Sequence, residues 1–419
     1  MSQRADAVAA DAPSEPGAAR GLGPFAATIL VAGNMIGSGV FLLPASLAAI
    51  GSASVIGWAV ASVGGLVLAL VFALLGIMRP DVNGLVRYPA DALHPAFGFL
   101  SWSAYWVASW VGNVAIAIAA VGYLAVFLPG LIGPVATLAT TLIIIWLMTA
   151  ANLWGPRVVV WLAASTLVIG LIPILAAIGL GILHFDPDIF WGSWNVSGQP
   201  LSKVVPGSLV MIFWAFMGLE SASVAAAAVD NPRRNLPIAA LGGVALASLV
   251  YTTATAAVMG VIPAERLAAS TAPFADMVAL AAGPIAGAVV AACALAKTLG
   301  TLGGWVLVAA EAGRVGAASG YLPKALSTQA VHATPVRDIL LVAVLMSLAA
   351  LATLSPTLTK QFNALINASV LLILAVYILC ALALVRFASG IETPARRWAA
   401  RVIGFAAAAF CVWMIVASL

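Results

Sequence analysis

The chain has 419 residues, 63% of them hydrophobic and 8% charged, with a mean hydropathy of +1.13. Soluble domains carry about 25% charged residues, so this composition excludes a soluble globular protein and indicates a polytopic membrane protein. The net charge of +4 and the pI near 9.1 come from basic residues gathered beside membrane spans, which removes any need for a nucleic-acid partner.

Residues 1–23 are rich in Ala, Asp and Pro, have no apolar core, and read as a disordered cytoplasmic tail, not a signal peptide. A span needs about 20 apolar residues. Eleven are expected, at 24–48, 54–77, 98–128, 134–152, 158–184, 205–228, 238–262, 277–310, 337–353, 361–385 and 402–419. With the N-terminus cytoplasmic, the basic residues outside the spans lie inside, except Lys203, Arg266 and Lys360. Between spans the loops are short, save 185–204 outside, with Asp186, Asp188, Trp191 and Trp194, and 311–336 inside, with Arg314, Gly320, Pro323 and Lys324. Both read as amphipathic connectors.

The first span, FAATILVAGNMIGSGVFLLPASLAAI, is interrupted by Asn34 and by Gly37-Ser38-Gly39. In hydrocarbon a helix must satisfy its own backbone, so a glycine-rich interruption at membrane depth persists only where it lines an enclosed cavity. Broken helices of this kind are where transporters bind substrate. The third span places Tyr105, Ser109, Gly112, Asn113 and Ile116 on one helical stripe, with Trp106 and Trp110 beside it. The sixth span is interrupted at 216–221, around Gly218. Two breaks five spans apart lie in helices that cross in opposite directions, the arrangement of an inverted repeat whose breaks meet at the midplane.

Glu220 is the one carboxylate placed deep in a span, where a charge costs at least about 2.5 kcal/mol at the helix centre. It reads as a proton site or gate, against the plainer reading of an acid bonded to Ser221 or to freed backbone groups. Lys297 is the one deep basic residue; its face continues through Thr301 to Trp305. Its ammonium needs carbonyls, an acid or water, or else it snorkels to a helix end. Trp214 and Trp305 adjoin the interrupted or glycine-rich stretches, where an aromatic face can hold a cation. Gly303 and Gly304 suggest a helix-packing notch. Cys293, Cys380 and Cys411 fall inside spans without metal-ligand spacing, and His94, His184 and His332 are scattered. No GxxxxGK[ST] loop or HExxH pair occurs, so no cofactor, no metal and no enzyme activity are expected. A receptor would want a signalling domain, and a channel a filter or pore-lining rings.

The stretches GNMIGSGVFLLPASLA (33–48), YWVASWVGN (105–113), WAFMGLESASVAA (214–226), DNPRRNLPIA (230–239) and LGGW (302–305) together resemble the amino acid-polyamine-organocation superfamily, most of all its bacterial arginine/agmatine antiporter branch. The likeness runs from about residue 22 to the end of the chain at nearly constant spacing. It implies that the broken first helix, at Asn34, Gly37, Ser38 and Gly39, receives the substrate carboxylate and amine, with exposed N–H groups and the half-helix dipole as the physical reason. Carbonyls around Trp214 and Met217 would take the amine. The far end of the substrate would lie among Ala108, Ser109, Asn113, Trp305 and Ser369, under Trp214 as a lid, and Glu220 would sense protons. Ser109 stands where that branch has cysteine, Ala215 where it has serine, Met217 isoleucine and Ile116 methionine, so the distal pocket is altered. Lys297 replaces a glycine near the sodium position of sodium-coupled relatives and would serve as a built-in cation or proton site.

The expected fold is therefore an all-α polytopic membrane protein with a ten-helix inverted-repeat core over 24–385, repeats at about 24–184 and 205–385, and a loop and eleventh helix over 386–419. The expected function is secondary active transport in a bacterial inner membrane by alternating access with proton-sensitive gating, exchanging a cationic amino acid or its amine. The alternative is proton-coupled symport of a neutral amino acid through Lys297. Expected partners are a small amine-bearing substrate, protons and the lipid bilayer. The resemblance implies a homodimer formed partly by the last two of twelve helices, of which this sequence supplies one.

Overall fold

Proline opens one helix after another along this chain, at the first turn, where its missing N–H costs no hydrogen bond. The computed structural model describes residues 22–37, 41–80, 84–221, 229–323 and 334–418. Helix α1 spans Pro24–Met35, α2 Leu43–Leu47, α3 Ser54–Met78, α4 Gly84–Ala92, α5 Pro95–Leu124, α6 Pro134–Trp154, α7 Pro156–Leu183 and α8 Pro187–Gly192. They are followed by α9 Leu201–Phe213, α10 Pro232–Met259, α11 Ala264–Ala268, α12 Pro273–Ala282, α13 Pro284–Ala318, α14 Val336–Ala352, α15 Leu358–Phe387 and α16 Pro394–Ser418. Among the described residues there is no β-strand, only a bridge between Leu22 and Val229. Helices α3, α5, α6, α7, α10, α13, α15 and α16 are long and apolar enough to cross a membrane, and the chain is an all-α polytopic membrane protein.

Each expected span meets a helix, and the first and sixth meet helices that break. Several boundaries differ from expectation; the last helix, expected over 402–419, already begins at Pro394. The eighth span does not begin at 277: α12 ends at Ala282, Gly283 turns at φ +91°, and Pro284 opens α13. Hydropathy misses this break because both sides are apolar. Helix α13 then runs on to Ala318, so Arg314 lies on it and not in a connector; its guanidinium pairs with Glu311 at 2.6 Å. The outer connector is likewise shorter than 185–204, since α9 begins at Leu201. Lys324, His332, most of the 1–23 tail, Ser38 and Gly39 lie outside the described residues.

Helix α5 is central, with every residue from Gly112 to Tyr123 buried. It packs on α13 and α15, while α13 also packs on α7, α3 on both α10 and α9, α1 on α10, and α6 on α14. Short helices α4 and α12 lie against the long helices that follow them, α5 and α13. At one end of the bundle the connector after α7 folds over the α2–α3 turn: Ser52 and Ala53 donate their N–H groups to the carbonyls of Ser193 and Trp194 at 3.0 and 2.8 Å. A Cβ on Gly51, already at φ +99°, would fall 2.1 Å from the Ser193 carbonyl, so that turn requires glycine.

Where α1 stops, its last carbonyls lose their intrahelical partners and need others. The hydroxyl of Tyr251 on α10 donates to the Met35 carbonyl at 2.6 Å. Tyr251 is itself held against Trp58 and Phe216, with ring centroids 5.6 and 6.4 Å away.

Candidate functional site

The α9 helix ends in a single 3-10 turn at Trp214–Phe216, Met217 is extended, and Gly218 turns at φ +104°. A Cβ on Gly218 would stand 2.9 Å from the Asn34 carbonyl oxygen. The two interruptions therefore touch backbone to backbone, and glycine is what permits the approach.

Around this contact lies a small cavity of about 40 Å³, lined by Asn34, Met35 and Gly37 of the first break, Ala108, Ser109, Gly112, Asn113 and Ile116 of α5, Trp214 and Met217 of the second break, and Thr301 and Trp305 of α13. The α5 stripe thus faces the cavity from Ala108 to Ile116. Gly112 gives room for the indole of Trp214, whose ring edge would be 2.9 Å from a Cβ there. Ser109 donates to the carbonyl of Tyr105 at 2.7 Å. By contrast, the Asn113 amide nitrogen, the Trp214 indole nitrogen and the Thr301 hydroxyl are buried without a hydrogen-bond partner among the described residues. Buried polar groups are nearly always paired, and these three stand where a polar ligand of the cavity could reach them.

A second, larger cavity of about 770 Å³ adjoins the first and shares Asn34, Gly37, Thr301 and Trp305 with it. It runs along α1 from Leu22 to the break and is walled by Ala163 and Ala164 of α7, by Tyr105, and by α13 from Lys297 to Val308. Glu220, Ser221 and Lys297 face it. The Glu220 carboxylate accepts from the hydroxyl of Tyr377 at 2.5 Å and from the N–H of Gly218 at 3.0 Å, both on Oε2. This ties the second break to α15. Lys297 is 7% exposed; among the described residues it has no hydrogen bond or ion pair, and its stem packs over Gly170.

The sequence-derived residues are thus sorted by the tertiary structure. Asn34, Gly37, Ala108, Ser109, Asn113, Trp214, Met217 and Trp305 meet at one cavity, and Glu220 and Lys297 meet at the vestibule beside it. Ser369 does not line either cavity: it is fully buried, donates to the Leu365 carbonyl at 2.9 Å, and lies behind Gly112. Gly303 and Gly304 do not form the notch expected of them, since a Cβ at either would meet nothing nearer than 3.7 Å. The notch is Gly300, where a Cβ would fall 1.9 Å from the Thr166 hydroxyl. Sequence reasoning missed the part played by Tyr377 and Tyr251. Their partners lie 157 and 216 residues away in the chain, and no local signal marks a tyrosine for such a contact.

Comparison with known proteins agrees with this architecture. Residues 22–419 match the family model described as amino acid permease. The chain is 36% identical to putrescine transporter PotE of Escherichia coli (strain K12), covering 91% of this chain and 86% of that protein. It is 36% identical to the cadaverine/lysine antiporter of the same strain, over 88% and 84% of the two chains, and 34% identical to putrescine transporter PotE of Haemophilus influenzae, over 85% and 82%. With membrane-crossing helices, two touching helix breaks and a family match from Leu22 onward, the chain belongs to the amino acid permease family of the amino acid-polyamine-organocation superfamily and is a membrane transporter, not an enzyme.

Proposed function

We propose that this protein is a secondary transporter of the bacterial inner membrane that exchanges a small amine-bearing solute, a cationic amino acid or its decarboxylated amine, by alternating access. The observation that carries the reading is the contact between the two breaks, Gly218 against the Asn34 carbonyl, with buried polar atoms of Asn113, Trp214 and Thr301 that lack a partner among the described residues around the adjoining cavity. Freed backbone groups and an aromatic face are the means by which such a site holds an ammonium. The names of the relatives, for putrescine and for cadaverine and lysine, support the same substrate class. The 770 Å³ vestibule on the α1 side is the inward path when the N-terminus is cytoplasmic, as the basic residues favour.

The inverted repeat is supported by the packing. If the spans built on α1, α3, α5, α6 and α7 are equated with those on α9, α10, α13, α14 and α15, the pairing of α5 with α15 becomes that of α13 with α7. Likewise α1 with α10 becomes α9 with α3, and the pairs α3 with α10 and α6 with α14 map onto themselves. All these pairs are in contact, and α4 and α12 occupy equivalent places before α5 and α13.

A second reading, proton-coupled uptake of a neutral amino acid, is favoured by Lys297, which faces the vestibule that the first break also lines. Proteoliposomes separate the two. Exchange requires that internally loaded substrate accelerate entry; if loading has no effect while an imposed pH gradient drives accumulation, the exchanger reading is lost. A thermal-shift screen against amino acids and amines names the ligand, because binding to the folded state raises its apparent stability by mass action.

A further inference from the structure

We infer that the elbow where α3 ends and α15 turns into α16 binds the phosphate headgroup of an anionic phospholipid, through Arg79, Arg396, Arg397 and Arg401, with an acyl chain along the outer face of α16. These residues line neither cavity, and the inference holds for either orientation of the chain in the membrane.

The turn over 387–392 gathers the arginines. Helix α15 ends at Phe387, a single 3-10 turn follows at Ala388–Gly390, and Pro394 opens α16. The guanidinium of Arg79, just past the end of α3, lies over the Phe387 ring at 4.6 Å. Arg397 donates from Nε to the Ile391 carbonyl at 2.9 Å, and Arg386 donates to the Ser389 hydroxyl at 3.2 Å. Arg401 stands one helical turn beyond Arg397, on the same side of α16. Between Arg386 and Arg401 the sequence has one acid, Glu392, and among the described residues no ion pair involves any of these five arginines. Elsewhere the pairing is different: Arg87 meets Asp91 at 3.6 Å, and Arg314 meets Glu311 at 2.6 Å. Arg79, Arg396 and Arg401 are exposed, and among the described residues their side chains donate no hydrogen bond.

A guanidinium lying over an aromatic ring keeps its edge N–H groups free, and that edge matches two phosphate oxygens. Basic residues at the end of a membrane helix attract anionic lipid, and basic pockets between such helices hold its headgroups. The outer face of α16 supplies the surroundings for the rest of the ligand. Trp398, Val402 and Phe405, at i, i+4 and i+7, are 69%, 42% and 57% exposed. Tryptophan belongs at headgroup level, and the two apolar residues beyond it continue along the helix as an acyl chain would. A soluble phosphate would use the arginines and gain nothing from this stripe, which favours the lipid.

The test measures dissociation constants of short-chain phosphatidylglycerol and phosphatidylcholine for the purified full-length protein in a neutral detergent. Phosphatidylglycerol is expected to bind at least tenfold more tightly. That ratio should fall at least threefold in the double variant Arg396→Gln/Arg401→Gln and in Arg79→Gln, whose side chains are exposed, so that both should melt with the parent when lipid is absent. The control is Arg233→Gln/Arg234→Gln, which removes the same charge as the α16 double variant from exposed positions on α10 and should leave the ratio within twofold of the parent's. Equal binding of the two lipids by the parent overturns the inference, as does a ratio that falls less than threefold in either elbow variant. A control that loses as much as the elbow variants also overturns it, because net charge and not a site would then hold the lipid. Glycerol phosphate binding as tightly as phosphatidylglycerol would make a soluble phosphate the ligand and overturn the assignment to lipid.

Discussion

Gly218→Ala is the sharpest test of the contact between the two helix breaks. Gly218 holds φ +104°, and an added Cβ would lie 2.9 Å from the Asn34 carbonyl oxygen and 3.3 Å from its carbon. A side chain in such a backbone conformation costs about 1–3 kcal/mol. The contact adds to this, because the obstacle is backbone and cannot rotate aside; overpacking of this kind costs about 1–3 kcal/mol. A loss of about 2–6 kcal/mol is expected from the two together, with the breaks forced apart. Thermal unfolding in detergent should show a lower apparent melting temperature, and substrate uptake in proteoliposomes should collapse. Gly207→Ala is the control: it lies in the same helix, α9, with nothing within 4 Å of the added carbon, and replacing a helical glycine should stabilise by about 0.5–1 kcal/mol. If Gly218→Ala melts with the parent and transports at the parent rate, the close approach of the two breaks is not what shapes the site.

Other perturbations test other parts of the site. Glu220→Gln keeps an acceptor for Tyr377 and removes the exchangeable proton; it should flatten the pH dependence of uptake, and an unchanged pH profile would remove Glu220 from the gate. Tyr377→Phe deletes the donor on Glu220 Oε2, a bond to a charged group worth about 1.5–3 kcal/mol, and a melting temperature equal to the parent's would show that the link between α15 and the second break carries no load. Gly300→Ala, whose methyl would meet the Thr166 hydroxyl at 1.9 Å, should destabilise, whereas Gly304→Ala, with its nearest neighbour at 3.9 Å, should not; the reverse order in thermal unfolding would place the α7–α13 notch elsewhere.

Much of this architecture is legible in the chain because the membrane imposes coarse rules on composition. A run of about 20 apolar residues has few alternatives to a spanning helix, and glycine with polar residues at that depth announces a break. Asn34, Gly37, Gly218, Glu220 and Lys297 could be picked out because each is costly in hydrocarbon unless something encloses it. The α5 stripe was legible for a different reason: helical periodicity places Ser109, Gly112, Asn113 and Ile116 on one face whatever the partner.

What failed to show in the sequence depends on partners far away in the chain. Ser369 shares its residue type with many pocket serines, yet it is fully buried beside Gly112 and lines neither cavity. Gly300 and Gly304 look alike in sequence, and only the approach of Thr166 distinguishes them. The break at Gly283-Pro284 hides within uniform hydropathy.

The sequence by itself determined that this is a membrane transporter built on broken helices, since the cost of exposing backbone and charge to hydrocarbon acts on each segment alone. Only the tertiary structure decided which groups remain unsatisfied. Glu220 is engaged by Tyr377 from α15, while among the described residues the Trp214 indole nitrogen finds no acceptor. Satisfaction of a buried donor depends on what packs opposite it, and that is fixed by helix–helix contacts between residues that lie far apart in the chain.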